Sequence, residues 1–156
     1  MSWITTWRIT KSKYHETAFD GEGARLHPGR WNSRGVPMVY TAESQALAML
    51  ELLVHLESDE ILFAHFVVVP VRIPEAIIMR LDAATLPTDW RAPMAPRSTR
   101  DLVDRWIASG QSLALGVPSV LVPTESNYLL NPRHANRSRL EIGTPVSLSF
   151  DHRLAK

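Results

Sequence analysis

Apolar and polar positions alternate from Trp3 to Thr10, which predicts an opening strand with Arg8 near its end. From Lys11 to Gly35 the alternation stops. Gly21, Gly23, Pro28, Gly29 and Gly35 predict a long loop there, of a length that in compact domains usually serves function. Val36 to Thr41 predicts a short strand. Ser44 to Leu56 carries the clearest helical signal, with Ser44 as N-cap. Its apolar residues leave almost no polar face, so burial on most sides is expected. Ile61 to Ile73 is β-branched and aromatic and predicts a strand, with Pro70 marking a bulge or an edge. Leu81 to Arg97 is irregular and contains prolines. Ser98-Thr99-Arg100-Asp101 has capping-box-like spacing and opens a helix that runs to Ser109, with Gly110 as its C′ residue. Leu113 to Val122 is strand-like, Leu129 to Arg139 reads as a polar loop, and Thr144 to Phe150 alternates as a last strand. The mixture is α+β, without a repeating βαβ rhythm.

Composition narrows the picture without changing it. The 156 residues suit one domain, and no repeat or linker divides them. Hydrophobic residues make up 45%, an ordinary globular value. Lys and Arg number 17 against 16 Asp and Glu, too even for a broad nucleic-acid surface. There is no cysteine, so disulfides and thiolate chemistry are excluded. The first residues lack a basic-then-apolar signal pattern, and no apolar run reaches the ~18 residues of a membrane span. A cytoplasmic location is therefore expected. The six histidines show no ligand spacing, and His-Glu-x-x-His is absent, so no metal is expected.

Four residues could carry chemistry. Glu51 is the one carboxylate in the greasy helix, where spacing places Ser44, Ala48, Glu51 and His55 on one face. A buried carboxylate must be paired, so Glu51 is either half of a structural ion pair or an acid facing a cleft. Arg30 follows Pro28-Gly29, where backbone can approach a ligand, and its planar fork suits a diphosphate. Alone, it could equally be a surface arginine packed on Trp31. Gly21-Glu22-Gly23 starts like a dinucleotide loop, but Leu26 stands where a third glycine belongs. Tyr40, at a strand end, could stack on a ligand ring, hydrogen-bond through its hydroxyl or simply pack. Ser119 lies in Val117-Pro118-Ser119-Val120, which is no nucleophile elbow, so a hydrogen-bonding serine is expected rather than an acylated one. Asn127, Asn131 and His134 follow as turn residues or as cleft lining. An arginine, an aromatic ring and a buried acid so close in sequence equip a chain to hold a phosphate-bearing ribonucleotide and break a bond in it.

Taken in order, Gly21-Glu22-Gly23-Ala24, Gly29-Arg30-Trp31-Asn32, Val39-Tyr40, Ala48-Met49-Leu50-Glu51, Val117-Pro118-Ser119-Val120 and Asn127 to His134 resemble the RES domain. That family is named for an arginine, a glutamate and a serine, which map to Arg30, Glu51 and Ser119. The resemblance runs from Arg8 to about Phe150. It implies a single compact domain with a central, mostly antiparallel sheet, flanking helices and an ADP-ribosyltransferase-like cleft for NAD+. It also implies a toxin that consumes NAD+ by hydrolysis or phosphorolysis, or transfers its ADP-ribose to a protein. The implied partner is an Xre-type helix-turn-helix antitoxin that covers the cleft. The complex, not the toxin alone, would bind DNA, and a homodimer at its centre is expected.

In that reading Arg30 holds the diphosphate or the nicotinamide-side phosphate, Tyr40 stacks on nicotinamide and helps expel it, and Glu51 binds ribose hydroxyls and favours the oxocarbenium-like state. Ser119 and Asn131 position ribose or amide groups. Arg8, Trp31, Asn32, Ser44 and His55 are further ligand-contact candidates. Arginine-modifying transferases often carry a Glu/Gln-x-Glu pair, and here Met49 breaks it. The rivals are a non-catalytic interaction protein with a buried polar network and an RNA-cleaving toxin acting through Arg30 and His55.

Overall fold

The computed structural model describes residues 2–156. In chain order the elements are β1 (Trp3–Lys11), α1 (Glu22–Leu26), β2 (Val39–Ala42), α2 (Gln45–Leu53), α3 (Ser58–Phe63), β3 (Phe66–Pro74), β4 (Ile78–Arg80), α4 (Arg97–Ser109), β5 (Ala114–Pro118), β6 (Ser126–Leu130), β7 (Glu141–Ile142) and β8 (Val146–Leu148). The strands form one sheet in the order β4-β5-β6-β2-β1-β3-β7, with β8 also on β3. Every pairing is antiparallel except β4 with β5. The expected α+β fold with a mostly antiparallel sheet is therefore present.

β3 explains the continuous apolar run in the sequence. Val67, Val69, Val71 and Ile73 pack into one core with Val39 and Leu130. Phe66 and Val68 face the other way, onto Ile9, Ala42, Leu47 and Phe150. A strand buried on both faces loses its alternation. Pro70 stands opposite Trp7 in unbroken register on one side. On the other side it falls between the stretches paired with β8 and β7, where no ladder bond asks for an N–H.

Several sequence expectations need correction. Ile61 and Phe63 belong to α3, whose start is closed by Glu57 and Glu60, each accepting from the other's backbone. That capping box uses Glu in place of the usual Ser or Thr. Leu129 and Leu130 are not loop; they are buried in β6 between β2 and β5. α4 begins at Arg97 after Pro96, and no side chain caps it. Gly110 does end it, at φ 62°. α2 is not buried on most sides: only Leu47 and Ala48 are, while Leu50 and Val54 are 39% and 57% exposed. The helix lies with one face on β1 and β2 and leaves the other open.

Thr6 on β1 is fully buried, and its Oγ1 has no hydrogen-bond partner among the described residues. A buried unpaired hydroxyl costs free energy that an isosteric methyl does not. Thr6→Val is expected to stabilise the fold by about 1 kcal/mol, a rise in Tm of roughly 2–4 °C. A Tm at or below that of the parent in a thermal melt would refute it.

Candidate active site

The sheet has one weak seam. β1 and β2 share a single register pair, Trp7 opposite Ala42. Beyond it the strands part, and a cavity of about 920 Å³ opens, lined by β1 residues Trp7 to Lys11, by Tyr40 and by Glu51. That volume lies within the usual range for small-molecule sites.

Arg8 bridges the seam with its side chain. Its Nε donates to the Ala18 carbonyl at 2.6 Å, and one terminal nitrogen donates to the Tyr40 carbonyl at 3.0 Å. Burial lowers its pKa to about 10, against the opposing pull of Asp20. The guanidinium is still charged at neutral pH.

Glu51 enters from α2. Its Oε1 accepts from Ser119 Oγ at 2.7 Å and from Asn127 Nδ2 at 2.8 Å. Ser119 is itself fixed, fully buried and accepting from the Leu121 and Val122 amides at 3.1 Å. Both donors hold one carboxylate oxygen. Among the described residues Oε2 has no hydrogen-bond partner, and Glu51 lines the cavity. The ion-pair alternative for Glu51 finds no partner among the salt bridges of the described residues. Ala48 shares the cavity wall with Glu51, as helical spacing requires, and His55, in the turn just past the end of α2, lines it too. Ser44 does not reach it. Ser44 Oγ accepts from Leu47 N and donates to Glu125, so it is the N-cap of α2 and no longer a ligand-contact candidate.

Arg30 also lines the cavity, and one terminal nitrogen donates to the Trp90 carbonyl at 3.1 Å. Burial lowers its pKa and the Glu51 charge raises it, so the two groups feel each other across the cavity. Trp31 is buried, 6.4 Å from the Trp90 ring. Tyr40 lines the cavity, and its hydroxyl is engaged, donating to Asn32 Oδ1 at 2.6 Å and accepting from Trp31 N at 3.2 Å. Burial pushes the phenol pKa well up, so it stays protonated. Asn32 is fully buried and bonds to Gly29 N and to the Ala24 and Val36 carbonyls, which makes it a loop clamp instead of a ligand contact. Asn131 lies elsewhere. It borders a separate cavity of about 320 Å³ with Pro37 and His134, and accepts from Arg133 N. Asn127, on β6, lines the larger cavity and bonds Glu51.

Gly29 packs against Tyr40 so closely that an added Cβ would lie 2.8 Å from the hydroxyl and 3.0 Å from Cζ. Gly29→Ala is expected to displace Tyr40 and to cost about 1–3 kcal/mol. A denaturant titration that matches the parent would show that the loop yields freely.

The RES domain family pattern covers residues 5–151. The chain belongs to the RES domain family. A protein named Toxin Res from Photorhabdus laumondii is 44% identical, over 96% of each chain. A Prs ADP-ribosylating toxin from a Sphingobium strain is 34% identical, again over 96% of each. The toxin of the Mycobacterium tuberculosis MbcT–MbcA toxin–antitoxin complex has the same fold, with a TM-score of 0.77 at 19% identity over 95% of this chain and 85% of that one. Of the three residues to which the resemblance maps the family's arginine, glutamate and serine, Glu51 and Ser119 are in hydrogen-bond contact. No helix among the described residues is long and apolar enough to cross a membrane.

Proposed function

We propose that this chain is the toxin of a toxin–antitoxin pair and that it breaks the nicotinamide–ribose bond of NAD+. One observation carries the reading. A carboxylate with one oxygen held by Ser119 and Asn127 and the other without a partner among the described residues shares a cavity with two arginines whose orientations backbone carbonyls set. Such preorganised charge is suited to a bond cleavage in which charge develops at one end of a diphosphate-bearing ligand.

Arg30, with Arg8 behind it, takes the diphosphate through the N–H groups not spent on carbonyls. The Tyr40 ring and Trp31 supply flat surface for nicotinamide. Glu51 Oε2 accepts from the nicotinamide-ribose hydroxyls. As the C1′–N bond breaks, its electron pair leaves with nicotinamide, and the ribose takes up oxocarbenium character that the Glu51 charge stabilises. An acceptor oxygen or nitrogen then bonds to C1′ and gives up its proton. Water, phosphate and a protein side chain all satisfy that balance. The name of the Sphingobium relative favours a protein acceptor, while Met49 in place of the Glu or Gln that opens a Glu/Gln-x-Glu pair speaks against arginine as the modified residue.

The partner in this reading is a helix-turn-helix antitoxin that covers the cavity, with the complex built on a dimer. Brief induction of the chain in cells, with NAD+ measured in extracts, tests the proposal. NAD+ is expected to collapse before growth stops. Growth arrest with intact NAD+ and degraded RNA would favour the nuclease alternative. Labelled NAD+ added to lysate identifies the acceptor: a labelled protein band means transfer, free ADP-ribose means hydrolysis, and a phosphate-dependent product means phosphorolysis.

A further inference from the structure

The backbone around Arg30 is fastened at three consecutive residues by side chains from three places in the fold. Gly29 N donates to Asn32 Oδ1 at 2.9 Å. The Arg30 carbonyl accepts from Thr99 Oγ1 at 2.8 Å. Trp31 N donates to the Tyr40 hydroxyl at 3.2 Å. α4 adds a further tie, where Asp104 accepts from Ser33 N at 3.2 Å. Thr99 is fully buried and does not line the cavity, so it does not touch a ligand there. Its hydroxyl has one hydrogen to give. The Pro96 carbonyl at 3.1 Å is the longer alternative, and the Arg30 carbonyl is the nearer.

We propose that Thr99 is a positioning residue: from the first turn of α4 it fixes the Arg30 peptide and so aims the guanidinium into the cavity. The inference rests on the NAD+ reading for its consequence, since a guanidinium misplaced by a fraction of an ångström loses its bidentate hold on a diphosphate. Thr99→Val keeps the volume and the branched Cβ and removes only the donor. Thr99→Ser keeps the donor and removes a methyl.

The test is steady-state NAD+ cleavage by the parent, T99V, T99S, R30A and R30A/T99V. T99V is expected to raise KM about tenfold with kcat within about twofold, because the tie orients a binding group rather than the reacting carboxylate. T99S should stay near the parent, and T99V should add nothing once Arg30 is gone. An unchanged KM in T99V, or losses that simply multiply in the double variant, would overturn the proposal. A second readout does not depend on turnover: the Arg30 side-chain N–H signal in an NMR spectrum, identified by its loss in R30A. It should shift or broaden in T99V and persist in T99S. If the parent leaves NAD+ intact, the functional reading falls and this signal decides the positioning role alone, an unaltered signal in T99V counting against it.

Discussion

Glu51→Gln is expected to lower NAD+ cleavage by about 100-fold or more while leaving the fold in place. The substitution separates charge from shape. Glutamine fills the same volume, and its carbonyl oxygen can still accept from Ser119 and Asn127 as Oε1 does now. What changes is the group at Oε2, where a neutral amide replaces the charge proposed to face the developing cation. The loss should fall on kcat, because the charge acts more strongly on the transition state than on bound substrate. Circular dichroism and a thermal melt are the controls. A glutamine variant that cleaves NAD+ at the parent rate would remove Glu51 from the chemistry and leave it as part of a structural network with Ser119 and Asn127.

Arg30→Ala is expected to reduce kcat/KM by about 100-fold as well, but through KM. Arg30 spends one terminal nitrogen on the Trp90 carbonyl, which leaves the rest of the fork for phosphate oxygens. Lysine should restore little. A single ammonium on a flexible stem cannot bond the carbonyl and present a planar pair of donors at once. Initial rates across NAD+ concentrations for the alanine and lysine variants check this. Saturation by NAD+ at the parent concentration in both would show that Arg8 alone holds the diphosphate.

The sequence was most legible where local pattern and burial agree. β1, the core of α2 and the end of α4 at Gly110 follow from alternation, helical period and a glycine in the left-handed region. The shared wall of Ala48 and Glu51 also follows from helical period alone, whereas His55 reaches it from the turn past the helix end. Arg30, Glu51 and Ser119 each stand out from their own surroundings in the sequence, and the family resemblance joins them, which no spacing rule would have done. Other features depend on distant residues. The contact of Ser119 and Asn127 with Glu51 spans 68 and 76 positions, beyond any local signal. The same holds for Thr99 and Arg30, 69 positions apart. Asn127, Asn131 and His134 read together as turn residues or cleft lining, with Leu129 and Leu130 as loop among them, and only Asn131 receives a positioning role. Once those leucines are seen as a buried strand, Asn127 stands beside Glu51 and Asn131 falls past the strand end. Ser44 shows the opposite case, in which the local reading as N-cap was sufficient and the added ligand role was not.

The seam between β1 and β2 connects the fold to the proposed chemistry. A continuous sheet would leave no room there, and one register pair in place of a full ladder yields the cavity. Arg8 takes over part of the bridging that backbone bonds would have done. The central claim is that this cavity cleaves NAD+ at the nicotinamide bond. The most direct measurement is nicotinamide release from NAD+ by the purified chain, followed by chromatography, beside Glu51→Gln. Release by the parent that disappears in the variant is the predicted result. A folded parent that releases no nicotinamide, with and without added phosphate and with and without cell lysate, would contradict the account.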